Sequence, residues 1–221
     1  MSEAVNVRDV DLMLSGQKVL EDIQLTVNHG QVTGIVGRNG SGKSVLFKAI
    51  AGFYQPSRGT IEVNGIDLYQ KKNFPENFGC LIENPGFLPR DSGYKNLKLL
   101  ADIQKKIGKE EIMQTLSLVG LEGAENKPVK RYSLGMKQRL GIAQAIMENP
   151  SVIVLDEPTN GLDKQGVKDV REIILKLKEE GAAVLISSHI EEDIDEVSDD
   201  VFEMDGGHIS HVEDKVGHPN T

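Results

Sequence analysis

The sequence predicts an α/β fold in which a parallel-sheet core carries an antiparallel β subdomain and an inserted helical lobe. Three observations predict it. Residues 152–155 and 183–186 are almost wholly apolar runs, as strands covered on both faces require. Residues 5–27 instead alternate apolar and polar side chains around the turn signal Ser15-Gly16, the pattern of half-buried antiparallel strands. Between Gly93 and Asn149 the apolar residues recur at helical spacing, through Leu97, Leu100, Ile103 and Ile107, then Ile112, Leu116 and Val119.

Taken along the chain, residues 32–36 form a short apolar strand leading into a glycine-rich loop. Residues 43–50 follow as a helix that stops at Gly52, and 60–63 and 78–82 are further strands. After the helical stretch, strand and helix alternate again, with a helix over 167–177. The expected organisation is one domain over residues 1–221. Its core covers about 1–92 and 150–212, and its helical lobe about 93–149. In parallel sheets ligands gather beyond the carboxyl ends of the strands. The residues following Val36, Ile82, Leu155 and Ile186 are therefore expected at one site.

Composition narrows the function. The chain has 221 residues, of which 38% are hydrophobic and 27% charged, the balance of an ordinary globular protein. Its formal charge of −9 argues against nucleic acid as the main partner, because phosphate backbones are gripped by basic faces. Cys80, the single cysteine, has no disulfide partner and lies in an apolar run that predicts a buried thiol. No apolar stretch is long enough to span a bilayer, and the first residues lack a signal pattern, so a cytoplasmic location is expected. The tail after Val212 is expected to be loosely ordered.

The loop Gly37-Arg38-Asn39-Gly40-Ser41-Gly42-Lys43-Ser44 fits G-x-x-x-x-G-K-[ST]. Glycines let successive N–H groups turn inward on an anion, and the helix that follows adds its dipole. This makes Gly37, Asn39, Gly40, Ser41, Gly42, Lys43, Ser44 and Val45 candidate nucleotide-binding residues. Lys43 would reach the terminal phosphates and Ser44 would ligate Mg²⁺. The loop specifies a P-loop nucleotidase without choosing among nucleotide kinases, G proteins and ATPases. Asn126-Lys127-Pro128-Val129 lacks the aspartate of a guanine-reading motif.

Asp156 and Glu157 close the apolar strand at 152–155. A carboxylate at a strand end suits the Mg²⁺ shell, and the next one suits a general base for water. His189 follows Ile186-Ser187-Ser188 at another strand end, placed for a hydrogen bond to the terminal phosphate. The other histidines, His29, His208, His211 and His218, fall in loops or near the tail and are expected on the surface.

Tyr132-Ser133-Leu134-Gly135-Met136-Lys137-Gln138-Arg139 resembles the L-S-G-G-Q signature of the ABC ATPase superfamily, with Ser133 and Gly135 matching. The resemblance covers about residues 5–212. The departures at Tyr132, Leu134 and Met136 are similar to those of bacitracin-resistance and lantibiotic-immunity transporters. Ser133 is a good N-cap for a helix over 134–147, so it offers a second anion site. The resemblance implies that Ser133 and Gly135 dock on nucleotide held by another subunit, in a head-to-tail homodimer or heterodimer with two ATP molecules at the seam. It also implies a separate transmembrane permease. Asn160-Gly161-Leu162-Asp163 matches the family's D-loop, and Pro158-Thr159 joins it to Glu157.

Two departures bear on chemistry. Leu14 occupies the place of the aromatic residue that usually stacks on adenine, so an apolar contact is expected there. Glu83 replaces a glutamine in the loop leading to the helical lobe, which makes it a candidate Mg²⁺ ligand and a contact to the membrane partner. The alternative function, a soluble ABC ATPase acting on ribosomes or chromosomes, fits less well. The chain is acidic, has one cassette, and lacks a long insertion between Glu83 and Ser133.

Overall fold

A computed structural model describes residues 2–71, 74–83 and 85–212. Strands β1 (Glu3–Leu14) and β2 (Gln17–Asn28) pair antiparallel, with Leu14 opposite Gln17. Ser15 and Gly16 between them both have positive φ, 51° and 81°, the backbone a two-residue hairpin turn needs. Strand β3 (Val32–Val36) is buried throughout and feeds α1 (Lys43–Ile50). β4 (Arg58–Val63) and β5 (Ile66–Asp67) complete a four-stranded sheet in the order β2-β1-β4-β5. A short α2 (Leu68–Lys71) leads to β6 (Phe78–Leu81).

The expected helical stretch follows as α3 (Gly93–Gln104), α4 (Lys109–Leu118), a 3₁₀ turn at Val129–Arg131 and α5 (Leu134–Ile146). The chain then returns through β7 (Val152–Asp156), α6 (Lys164–Glu179), β8 (Ala183–Ser188), α7 (Glu191–Asp195), β9 (Asp200–Asp205) and β10 (His208–His211). The second sheet has six strands in the order β10-β9-β3-β8-β7-β6, parallel except for β10 at one edge. Among the described residues no helix is long and apolar enough to cross a membrane.

Alternation along the strands divides the core in two. Ile153, Leu155, Val184 and Ile186 pack with α5 and α6 and with Leu97, Ile112 and Leu116 of the helical stretch. Val152, Val154, Ala183 and Leu185 face the other way, against α1 and the antiparallel sheet. Both faces are thus covered, which is why these strands read as continuous apolar runs. At Gly79 a Cβ would stand 1.8 Å from the Ala145 carbonyl, so only glycine lets α5 lie this close to β6.

Several expectations change in detail. β6 ends at Leu81 and α6 extends beyond 167–177 at both ends. Cys80, expected buried, is half-buried, because β6 is an edge strand with cover mainly on its Gly79 and Leu81 side. Burial still pushes the Cys80 thiol up from its ordinary range. His208 and His211 lie exposed on β10, while His29 is partly buried. His218 and the tail expected to be loosely ordered fall outside the described residues.

Candidate functional site

The sheet topology brings the ends of β3, β7 and β8 side by side. Val36 pairs with Ser188, and Asp156 with Ser187. The loop after β3 wraps the N-terminus of α1. Gly37, Gly40 and Gly42 have φ of 156°, 84° and 117°, and a Cβ at Gly40 would meet only open space on the loop's outer rim. Asn39 is exposed beside it, Ser41 and Gly42 are buried, and Val45 packs partly against the core one residue beyond Ser44. The β9–β10 turn anchors the loop from below, where Gly207 N–H donates to the Ser41 carbonyl at 2.9 Å.

Lys43, only 5% exposed, donates to the carbonyls of Gly37 at 2.7 Å and Arg38 at 3.2 Å. Its ammonium lies 3.8 Å from Glu157 Oε1. Ser44 Oγ donates to Asp156 Oδ2 at 2.6 Å, and Ser187 Oγ donates to Asp156 Oδ1 at 2.5 Å. The carboxylate of Asp156 is therefore held from both sides at the mouth of the loop. Ser187 Oγ also accepts from the Glu157 N–H at 3.1 Å.

Glu157 has φ of 51°, a left-handed backbone that costs a non-glycine residue about 1 kcal/mol or more. The turn aims its carboxylate back over the loop. His189 Nδ1 lies 2.6 Å from Glu157 Oε2, within hydrogen-bond reach of that carboxyl group. Gln138 Nε2 donates to the carbonyls of Glu157 and Pro158, both at 3.1 Å.

These residues fit a nucleotide polyphosphate with a divalent cation. Ser41 Oγ of the loop and Glu157 Oε1 across from it are buried without a hydrogen-bond partner, and the buried Lys43 ammonium lies 3.8 Å from Glu157 Oε1. Mg²⁺ needs few protein ligands and prefers hard oxygens, which Ser44 and Asp156 supply. Among the described residues no cluster of three or more His, Cys, Asp or Glu marks a different metal centre.

Ser133 caps α5, its Oγ accepting from the Met136 N–H at 3.2 Å. Ser133 and Leu134 are exposed, so the capped helix end faces outward. Gly135 packs against the 160–163 loop of its own chain, where a Cβ would stand 3.2 Å from Leu162. Both signature residues are remote from Lys43 along the chain, and Gly135 is tied to the loop that follows Glu157.

Glu83, expected among the metal ligands, is engaged elsewhere. Its Oε1 accepts from Lys48 Nζ on α1 at 2.5 Å, and its side chain is 62% exposed. A glutamine there would bring no charge to attract the ammonium. This contact holds the Lys48 ammonium above its ordinary range. Leu14 is partly buried at the end of β1, packed against the core that backs the loop.

Three partners of the site were not legible in the sequence: Ser187, Gln138 and Lys48. The available signal was weak. Ser187 and Ser188 are polar residues ending a buried apolar strand, a placement that itself calls for partners.

A family model described as ABC transporter matches residues 20–160. The chain is 40% identical over 209 residues to YybJ, an uncharacterised ABC transporter ATP-binding protein of Bacillus subtilis (strain 168), covering 95% of this chain and 96% of that protein. It is 38% identical over 203 residues to BcrA, a bacitracin transport ATP-binding protein of Bacillus licheniformis, covering 91% of this chain and 66% of the relative. A solved structure of the ATP-binding subunit of an ABC transporter is similar with a TM-score of 0.85 at 27% identity, covering 96% of this chain and 91% of that one.

Proposed function

The chain belongs to the ABC transporter family of ATP-binding proteins, and from that premise we propose that it hydrolyses ATP at the Lys43–Asp156–Glu157 site to power a separate membrane permease. The observation that carries this is the convergence of three strand ends. There Lys43, the Ser44–Asp156 pair and the Glu157–His189 pair face one glycine-lined loop.

Each group has a distinct task. The N–H groups of residues 37–45 and the Lys43 ammonium hold and orient the phosphates, and positioning of this kind is the largest part of phosphoryl-transfer catalysis. Bound at Ser44 and Asp156, Mg²⁺ would supply positive charge for the terminal phosphates. Glu157 takes the proton of the attacking water, and His189 fixes the direction of its carboxylate. Ser133 and Gly135 lie on an outward-facing helix end, which supports a composite site completed by a second cassette, identical or homologous.

The permease contact is proposed for the face between the sheet and the helical stretch. Phe53, Phe74 and Ile103 are 55%, 68% and 75% exposed there, large apolar surfaces that water does not favour. Phe74 and Ile103 border a cavity of about 1080 Å³. The chain would then sit on the cytoplasmic face of the membrane through its partner, working as a single nucleotide-binding domain. The bacitracin relative leads us to peptide or antibiotic-like compounds as the cargo class, moved outward or kept from the cell.

Lys43→Ala tests the site. It should abolish Mg-ATP hydrolysis and weaken ATP binding, because the buried cation is lost. Wild-type turnover in this variant would overturn the assignment.

A further inference from the structure

One group of polar side chains beside the site, centred on the buried Thr159, has no part in the chemistry above. Thr159, 9% exposed, stands two residues after Glu157. Its Oγ1 donates to Asp193 Oδ2 at 2.7 Å, and Asp193 Oδ1 accepts from Arg171 Nη2 at 2.7 Å. Arg171 also donates to the Glu192 carbonyl at 3.2 Å and pairs with Glu196. The side chains of Asp193 and Arg171 are 11% and 19% exposed, so the pair is shielded and charge-assisted.

The connections close a ring. Arg171 lies on α6, whose N-cap is Asp163, and Asp163 Oδ1 accepts from the Gly166 N–H at 2.8 Å. Residues 160–162 are therefore held between Thr159, tied to Asp193, and Asp163, tied to α6. Asp193 belongs to α7, the helix that starts just after His189. One short segment thus grips the chain at Glu157, through His189, and again at Thr159, through Asp193. Glu157 has a left-handed backbone, and such a conformation persists only where its surroundings over-determine it.

Resting on the ATPase assignment above, we propose that Arg171 and Asp193 are positioning residues for Glu157, acting through the Thr159 hydroxyl. Arg171 fixes the Asp193 carboxylate, Asp193 fixes Thr159, and the backbone after Glu157 is thereby kept in the turn that points its carboxylate over the phosphate loop. The same chain makes the 160–163 loop move with α7, so that a contact at the loop shifts Glu157 and His189 together.

The experiment compares Thr159→Val and Thr159→Ser in the purified full chain, by Mg-ATP turnover and by thermal melting. Valine keeps the shape and removes the donor. It should lower kcat about tenfold with the KM for ATP within about twofold, while serine restores turnover. Hydrogen exchange of residues 157–163 should speed up in the valine variant only. Wild-type kcat for Thr159→Val, equal losses in both variants, or a raised KM at unchanged kcat would each overturn the proposal. If the valine variant fails to fold, Asp193→Asn replaces it, since it keeps the shape and removes the charge that holds Arg171. A folded Asp193→Asn chain should lose several-fold in kcat, and full kcat there also overturns the proposal. Glu157→Gln is run alongside. A wild-type chain no faster than Glu157→Gln refutes the ATPase assignment, whereas an inactive Glu157→Gln with a normal Thr159→Val refutes the positioning role alone.

Discussion

His189 Nδ1 and Glu157 Oε2 meet at 2.6 Å although 32 residues separate them in the chain. Adjacent parallel strands β7 and β8 bring them together, and the left-handed turn at Glu157 completes the approach. Glu157→Gln keeps the size of the side chain and removes its basicity. Hydrolysis should fall by about 10²–10⁴-fold, the contribution of a positioned base, while ATP binding is retained. At saturating Mg-ATP an ATP-stabilised dimer should accumulate, measured by light scattering. A monomeric variant that still hydrolyses ATP would count against both the base and the composite site.

Ser133 caps α5 and is exposed, and among the described residues none of its hydrogen bonds goes to the phosphate loop of its own chain. Ser133→Arg should leave ATP binding by the monomer nearly intact while blocking dimerisation and turnover, because a bulky cation obstructs the seam. Losing the cap costs about 1 kcal/mol, so a small fall in melting temperature is expected as well. Loss of nucleotide binding by the folded monomer would refute two half-sites.

The ion pair of Lys48 and Glu83 changes what the Glu83 substitution tests. A pair this exposed contributes about 0–1 kcal/mol, little enough for the loop to exchange Lys48 for Mg²⁺ as the site closes. Glu83→Gln should keep the fold and measurable ATPase activity but raise the free Mg²⁺ needed for half-maximal turnover. Lys48→Gln should lower it, and should have no such effect when Glu83 is already glutamine. An Mg²⁺ titration at fixed excess ATP measures all three, and an unchanged requirement in Glu83→Gln would remove the metal role and leave Glu83 with its Lys48 pair.

Arg139, in the signature helix, pairs with Asp169 of α6 at 2.8 Å and donates to the Val119 carbonyl at 3.0 Å. The Gln165 amide, then Arg139, hold the Asp169 carboxyl below its usual range. A carboxyl depressed in the folded state stabilises above its unfolded pKa, and loses that contribution as pH falls through its folded value. Asp169→Asn should therefore cost less than about 1 kcal/mol at neutral pH, solvent screening discounted. The difference from wild type should shrink in acid below the ordinary aspartate range. Urea unfolding at several pH values measures it, and a difference that grows in acid would contradict the sign.

Local patterns carried much of this protein. α1 (Lys43–Ile50) spans the residues its periodicity predicts, and Ser133 caps the helix that its hydroxyl and the following apolar spacing predict. β3, β7 and β8 read as apolar runs because both faces are covered, and the parallel order β3-β8-β7 then puts Lys43, Asp156, Glu157 and His189 at neighbouring strand ends. β9 and β10 escaped notice. Their acidic and histidine-bearing residues alternate over few positions, and β10 is an exposed edge whose pairing comes from the neighbouring strand.

What the sequence by itself determined is the kind of chemistry and the ends of the elements that carry it, since a glycine loop, a capping serine and a carboxylate after an apolar strand each act through near neighbours in the chain. Only the tertiary structure decided the partners. Ser187 holding Asp156, Gln138 reaching the Glu157 carbonyl, Lys48 taking Glu83, and Asp193 joining Thr159 to Arg171 all cross long stretches of chain. Each depends on strand order and on helix placement, and no local periodicity encodes which polar side chain will be carried to which buried acceptor.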